Sequence, residues 1–314
     1  MHTHHNKLFA VINPAAGSCD AETVQRTLAK ACIDAGFTLE CHFTSIGEKN
    51  ADIIYAVRQA VNNCCSRVVA AGGDGTVATV GSGLVGTEIP LAILPVGTAN
   101  LLARELDIPF DLATACQLAV NSDKQRRLDA MRVGEQYFLS HISLGVYSKI
   151  AERTSRTAKR YFRQLAYIWN ALPELLSGRT WRMTLTVDDQ EILLRASFIM
   201  IANVGGLGAA ELRWGDNILL DDGRIDICVV HARTIKDYLM LASSILWRRH
   251  KLYPKLTYYH AVRNIRVMTT SKRMPVRGDG EIIGHSTVEI TLVPAAIKVI
   301  TPEQLSSMAN TLSV

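Results

Sequence analysis

Three glycine-bearing segments in the first third of the chain have the residue types of loops that hold phosphate: Asn13-Pro14-Ala15-Ala16-Gly17, Gly72-Gly73-Asp74-Gly75-Thr76 and Pro95-Val96-Gly97-Thr98-Ala99-Asn100. Each follows a short apolar run that reads as a strand. Glycine allows a positive φ and lets main-chain N–H groups approach a phosphate with no Cβ in the way, which accounts for Gly72, Gly73 and Gly75 gathering around one carboxylate. Asp74 repels a bare phosphate, and its carboxylate makes sense against Mg²⁺ carried by a nucleotide, directly or through water. One such loop alone reads as a tight turn that needs small residues. Three behind three strands of one alternating pattern favour phosphate binding. The Walker pattern G-x-x-x-x-G-K-[ST] is absent, and common P-loop or dinucleotide sites are disfavoured. Two acidic turns come later, Asp222-Gly223-Arg224-Ile225-Asp226 and Asp279-Gly280-Glu281. An Asp-Gly pair before a strand is by itself a common turn.

The elements that must position these residues fall into two kinds. Lys7–Ile12, Phe37–Phe43, Arg67–Ala71 and Leu91–Leu94 read as strands. Between them lie helical patterns, the first capped by Asp20, carrying Val24, Leu28, Ala31 and Cys32 on one face and stopped by Gly36. The second runs over Asn50–Val61. Such alternation predicts an α/β domain with a parallel, helix-covered sheet over residues 1–126. In an open parallel sheet the three loops gather at the carboxyl edge, beside helix N-termini that favour anions. From about Arg127 longer strands take over: Leu128–Val133 and Gln136–Leu144 around Gly134-Glu135, then Trp181–Val187 and Glu191–Ala202 around Asp188-Asp189. Residues 127–314 are thus expected to form a mainly antiparallel β-sandwich, the last strand of which could return to the first domain.

Composition excludes several classes. At 314 residues, 48% hydrophobic and 20% charged, the chain is globular and long enough for two cores. A net charge of +5 argues against a dedicated nucleic-acid binder while permitting attraction to anionic lipid or phosphate. Seven cysteines without a C-x-x-C pair indicate reduced cytosolic thiols rather than a disulfide framework or a zinc site. Met1–Asn6 reads as a frayed polar terminus, not a signal peptide. The uncharged stretch Ala196–Ala210 is shorter than the roughly 18 residues a bilayer demands, so no transmembrane helix is expected. Two segments could meet a membrane surface. Lys149, Arg153, Arg156, Arg160 and Arg163 share one helical face beside an apolar stripe, and Tyr238–Trp247 runs into Arg248, Arg249, His250 and Lys251. For both, a solvated face on the protein's own surface is the competing reading.

Gly72-Gly73-Asp74-Gly75-Thr76 resembles the nucleotide signature shared by diacylglycerol kinases, sphingosine kinases, NAD kinases and phosphofructokinases. With Leu94–Asn100, Asn13-Pro14-x-x-Gly17 and the two acidic turns, the resemblance narrows to the bacterial diacylglycerol and related lipid kinases and runs over nearly the whole chain. It implies ATP and Mg²⁺ as cofactors, a lipid hydroxyl as acceptor, and a cytoplasmic enzyme held peripherally at an anionic membrane, with a homodimer admitted and no nucleic acid. It implies nucleotide contacts from Asn13, Gly17, Thr44, Gly72, Gly73, Asp74, Gly75, Thr76, Gly97, Thr98 and Asn100. It further implies a Mg²⁺ of mainly structural importance on Asp222 with the main-chain oxygens of Leu219 and Arg224. Glu281 is implied as catalytic base at the interdomain cleft, with Asp279 supporting the metal-nucleotide geometry. Two departures stand out. Ala78-Thr79 replaces the family's Asn-Glu, and Leu101 replaces an Asp, each removing a carboxylate near the phosphates. An NAD kinase-like enzyme and a regulatory module that binds nucleotide or lipid without catalysis are the alternatives.

Overall fold

The computed structural model describes residues 6–17, 19–145, 178–206, 212–215, 217–249, 253–271, 273–279 and 281–303. The basic segment from Lys149 to Trp169 and the pair His250 and Lys251 lie outside the described residues. The chain forms two compact units, one from residues 1–98, 106–127 and 298–314 and the other from 99–105 and 128–297. As the sequence predicts, the first is α/β with a parallel sheet and the second is an antiparallel β-sandwich.

In the first unit β1 (Lys7–Ile12), α1 (Ala21–Asp34), β2 (Thr38–Phe43), α2 (Asn50–Asn62), β3 (Arg67–Ala71), α3 (Asp74–Leu84) and β4 (Leu91–Leu94) alternate. Helix α4 (Leu101–Glu105) belongs to the second unit, and α5 (Leu112–Asn121) to the first. The strands lie in the order β2-β1-β3-β4, all parallel. Leu8, Ala10 and Ile12 of β1 share a core with Val24 and Leu28 of α1 and Cys116 and Val120 of α5, while Phe9 and Val11 are buried on the opposite face. Burial on both faces explains why these strands read as continuous apolar runs. Helix α1 starts where expected, because the Asp20 carboxylate accepts from Thr23 N–H at 2.8 Å.

Register decides where the loops begin. Ile12 pairs with Phe43 and with Ala71, and Ala71 pairs with Leu94, so four strands end in one row. The segments that leave this row are the three glycine loops and Thr44.

The second unit contains β5 (Gln125–Val133, from Leu128), β6 (Gln136–Phe138), β7 (His141–Gly145), β8 (Trp181–Val187), β9 (Gln190–Ala196), β10 (Phe198–Ala202), β11 (Ile225–Val230), α6 (Ile235–Leu246), β12 (Leu256–Ala261), β13 (Asn264–Thr269), β14 (Pro275–Gly278), β15 (Glu281–His285) and most of β16 (Thr287–Ile300). One sheet has the order β12-β11-β10-β7-β14-β15, and facing it are β9, β8, β13 and β16. Ile142, Leu144, Ile199, Ile201, Ile227, Leu185, Val267 and Ile290 fill the space between the two. The last residues of β16 return to the first unit, where Val299 pairs in parallel with Leu91.

Two expected strands prove to be two strands each. Gln136–Leu144 breaks at Leu139-Ser140, and Glu191–Ala202 breaks at Ser197, whose N–H and hydroxyl both donate to Val230 O (2.9 and 3.1 Å). At each break the chain crosses from one sheet of the sandwich to the other. The hydrophobic period continues through both breaks, which is why the sequence reads as uninterrupted.

Candidate active site

At the carboxyl edge of the first unit the three glycine loops touch. Asn13 N–H donates to Ala71 O (2.9 Å), its side-chain amide donates to Thr76 Oγ1 (3.0 Å), and its Oδ1 accepts from Ala15 N–H (3.0 Å). One asparagine therefore shapes its own loop and ties it to the next. Gly17 has φ +71°, and a Cβ there would stand 1.4 Å from Val96 O, so the first loop lies directly on the third. A Cβ on Gly72 would stand 2.5 Å from Thr76 Oγ1, and one on Gly73 would meet Gly97 Cα at 3.6 Å. Thr44 follows β2 on the same edge, its N–H donating to Ile12 O at 2.9 Å.

Helix α3 begins at Asp74 behind the N-cap residue Gly73, which makes no side-chain capping bond. The first turn of a helix presents main-chain N–H groups and the positive end of the helix dipole, the setting that suits phosphate oxygens. Gly81-Ser82-Gly83-Leu84-Val85-Gly86 has the dinucleotide spacing G-x-G-x-x-G, but it occupies the end of α3 rather than a strand-to-helix turn. Gly83 instead admits a neighbouring helix, since a Cβ would stand 2.8 Å from Val57 side-chain atoms in α2.

Both acidic turns lie in the second unit. Asp279, at φ 45° and 9% exposed, accepts from three consecutive main-chain N–H groups: Leu139 at 2.8 Å, Ser140 at 3.0 Å and His141 at 3.0 Å. Its own N–H donates to His141 O at 3.0 Å. The carboxylate thus ties the end of β14 to the β6–β7 break, two residues before Glu281, an exposed residue at the start of β15. Burial pushes the Asp279 carboxyl up from the usual carboxylate range, and the N–H donors pull it back.

Asp222 is exposed, with Oδ1 accepting from Arg224 N–H at 3.1 Å. Its turn is held by a residue that motif reading misses, Asp129, only 2% exposed. Asp129 N–H donates to Leu220 O (2.8 Å), and its carboxylate accepts from Gly223 N–H (2.8 Å) and Ala295 N–H (2.8 Å). Burial raises the Asp129 carboxyl above its ordinary value, and the charges of Asp222 and Asp221 raise it further. Asp226 is also raised, by burial first, against the attraction of His260 at 2.6 Å. Asn203 joins the two turns: its side-chain amide donates to Asp129 O (2.9 Å) and to Leu139 O (3.2 Å). The available signal for Asp129 is an acid inside the apolar run Leu128–Met131, a position that burial forbids unless the carboxylate finds donors.

Gly97 and Thr98 follow β4 in the first unit, whereas Asn100, at φ 49° and buried, precedes α4 in the second. Beyond it, Glu105 of α4 makes a two-pronged ion pair with Arg213.

Two domain models match the chain, the diacylglycerol kinase catalytic domain over residues 7–133 and the YegS C-terminal NAD kinase beta sandwich-like domain over residues 140–301, the second alone covering more than half of it. The chain belongs to the diacylglycerol kinase family. It is therefore a lipid kinase, a phosphotransferase whose acceptor is a hydroxyl group. The Bacillus subtilis diacylglycerol kinase is 26% identical over 300 residues, covering 94% of this chain and 96% of that one. An uncharacterized protein of Synechocystis sp. is 26% identical over 306 residues, with 94% of this chain and 70% of that one covered. The fold matches a crystal structure of a diacylglycerol kinase from Bacillus anthracis with a TM-score of 0.76 at 23% identity, over 95% of this chain and 98% of that one.

Within this diacylglycerol kinase family member the two departures are well accommodated. Ala78 is buried in α3, and the Thr79 hydroxyl donates to Gly75 O at 2.8 Å, so both positions serve the helix itself. Leu101 is buried at the start of α4. Gly17→Ala tests the loop contact. It adds a Cβ at a left-handed backbone position against a carbonyl, and is expected to cost about 2–4 kcal/mol, lowering the thermal unfolding midpoint by several degrees.

Proposed function

We propose that the chain transfers the γ-phosphate of ATP to the hydroxyl of a membrane lipid, with Glu281 as the general base. The observation that carries this reading is the convergence of Asn13, Gly17, Gly72–Thr76 and Gly97 at one sheet edge, beside the start of α3, in a chain of this family. In this reading the glycine loops bring N–H groups up to the polyphosphate, which orients it and stabilises the charge that builds on the transferred group. A lipid alcohol is a weak nucleophile until its proton has somewhere to go. Glu281 takes that proton as the oxygen attacks phosphorus, and the departing oxygen keeps its bond electrons as ADP leaves. Asp279 acts through Glu281, by holding the turn that presents it.

The chemistry of the donors supports Mg²⁺ at the Asp222 turn. Among the described residues no three His, Cys, Asp or Glu side chains are grouped as a metal cage, so a cation here would take a mixed set of carboxylate and main-chain oxygens. We read the turn carrying Asp222, Leu219 and Arg224 as supplying that set, next to Asp129, whose carboxyl burial raises first and Asp222 and Asp221 raise further. Bound there, Mg²⁺ would fix the turn; with the nucleotide, beside Asp74, it would neutralise phosphate charge.

The sandwich domain model also bears the words NAD kinase, which favours NAD as the rival acceptor. Purified protein given γ-labelled ATP, Mg²⁺ and a fractionated lipid extract in detergent, with NAD offered in parallel, separates the readings. Label is expected in an organic-soluble phosphomonoester that EDTA abolishes; label in NADP alone overturns the proposal.

A further inference from the structure

Helix α6 covers the six-stranded sheet with Leu241 and Ile245 and turns a second apolar face outward. Leu239, Met240, Leu246 and Trp247 are 66%, 50%, 64% and 71% exposed. Met240, Ser243 and Trp247 follow one another at helical spacing with Lys236, so they form a single stripe, and Leu239 and Leu246 flank it. A groove of about 760 Å³ runs along this stripe to Tyr253 and Pro254. Four large apolar side chains over three turns are more than the scattered exposure a soluble surface normally carries.

The charged residues that line the groove, Lys236 and Arg249, are both cations. Between Arg233 and Arg249 the sole acid is Asp237, which is buried, completes the capping box with Thr234 and is paired with Lys255 Nζ at 2.6 Å. Lys236 stands on the first turn, and Arg248 and Arg249 follow the last. Cations at both ends of an apolar face, with an exposed tryptophan at one end, suit a helix lying flat in the headgroup layer of an anionic membrane. A second copy of the chain fits poorly, because a two-fold pairing of this face would set Lys236 against Arg249.

We propose that this face of α6 docks the protein on anionic bilayers, with Leu239, Met240, Leu246 and Trp247 entering the acyl boundary and Lys236 and Arg249 meeting lipid phosphates. Among the described residues no helix is long and apolar enough to cross a membrane, and the docking proposed is to the bilayer surface. Vesicle binding of the full chain, measured without nucleotide, tests the surface independently of the kinase reading. The wild type is expected to co-sediment with phosphatidylcholine vesicles containing about one third phosphatidylglycerol, to bind pure phosphatidylcholine far more weakly, and to be released by salt. Leu246→Ser with Trp247→Ser should lower the partition coefficient at least tenfold. Lys236→Gln with Arg249→Gln should lower it about tenfold on anionic vesicles alone. All four positions are exposed, so these variants should melt with the wild type. Quenching of tryptophan emission by brominated acyl chains should fall in Trp247→Phe. Unchanged partitioning of the Leu246/Trp247 variant overturns the proposal, as do vesicle-independent dimers that this variant abolishes.

Discussion

Glu281→Gln is expected to reduce turnover by about 10²–10⁴-fold while leaving nucleotide affinity within about twofold. The side chain keeps its length and its acceptor oxygen, so the loss reports on the carboxylate's capacity to take a proton. The nucleotide should not notice the change, because the residues read as cradling it lie on the first unit, around Asn13, Gly17 and Gly72–Thr76. A drop in kcat at constant nucleotide dissociation constant is the signature of a group that acts only in the transition state.

Asp279→Ala carries the second large effect, and it reaches turnover by way of stability. Removing the carboxylate strands three main-chain N–H groups, from Leu139, Ser140 and His141, at a buried strand break. Each orphaned donor costs about 1–3 kcal/mol, and after local relaxation a total of about 3–5 kcal/mol is expected. For a protein of this size that lowers the thermal midpoint by roughly 10 °C. Turnover should fall even well below the midpoint, because the Glu281 turn loses its anchor. Asp279→Asn supplies one acceptor oxygen and a misplaced amide, and should lie between wild type and alanine in both readouts.

The amino-terminal unit was readable because its signals are local. Asp20 before an amphipathic run, Gly36 after it, and apolar runs ending at Asn13, Gly72 and Pro95 are each written within a few residues, and the structure honours them. The sandwich was readable in class and less so in detail. Its two breaks, at Leu139-Ser140 and Ser197, are imposed by partners far along the chain, Asp279 and Val230, and leave no mark on the period of the strands. The same distance hides how the acidic turns are built. Asp129 meets Gly223 94 positions later, and Asn203 bridges Asp129 to Leu139, so motif spacing points to Asp222 and Asp279 but not to what holds them. The departures at Ala78-Thr79 and Leu101 likewise gain their meaning only in three dimensions, as buried helix positions.

The most direct test of the central claim is chemical rescue of Glu281→Ala, measured as labelled phospholipid formed at saturating ATP with and without added formate. Turnover should be nearly abolished without formate and partly restored, in a saturable way, with it, because a small carboxylate can stand in for the missing base. A Glu281→Ala protein that phosphorylates lipid at the wild-type rate without formate would contradict the account.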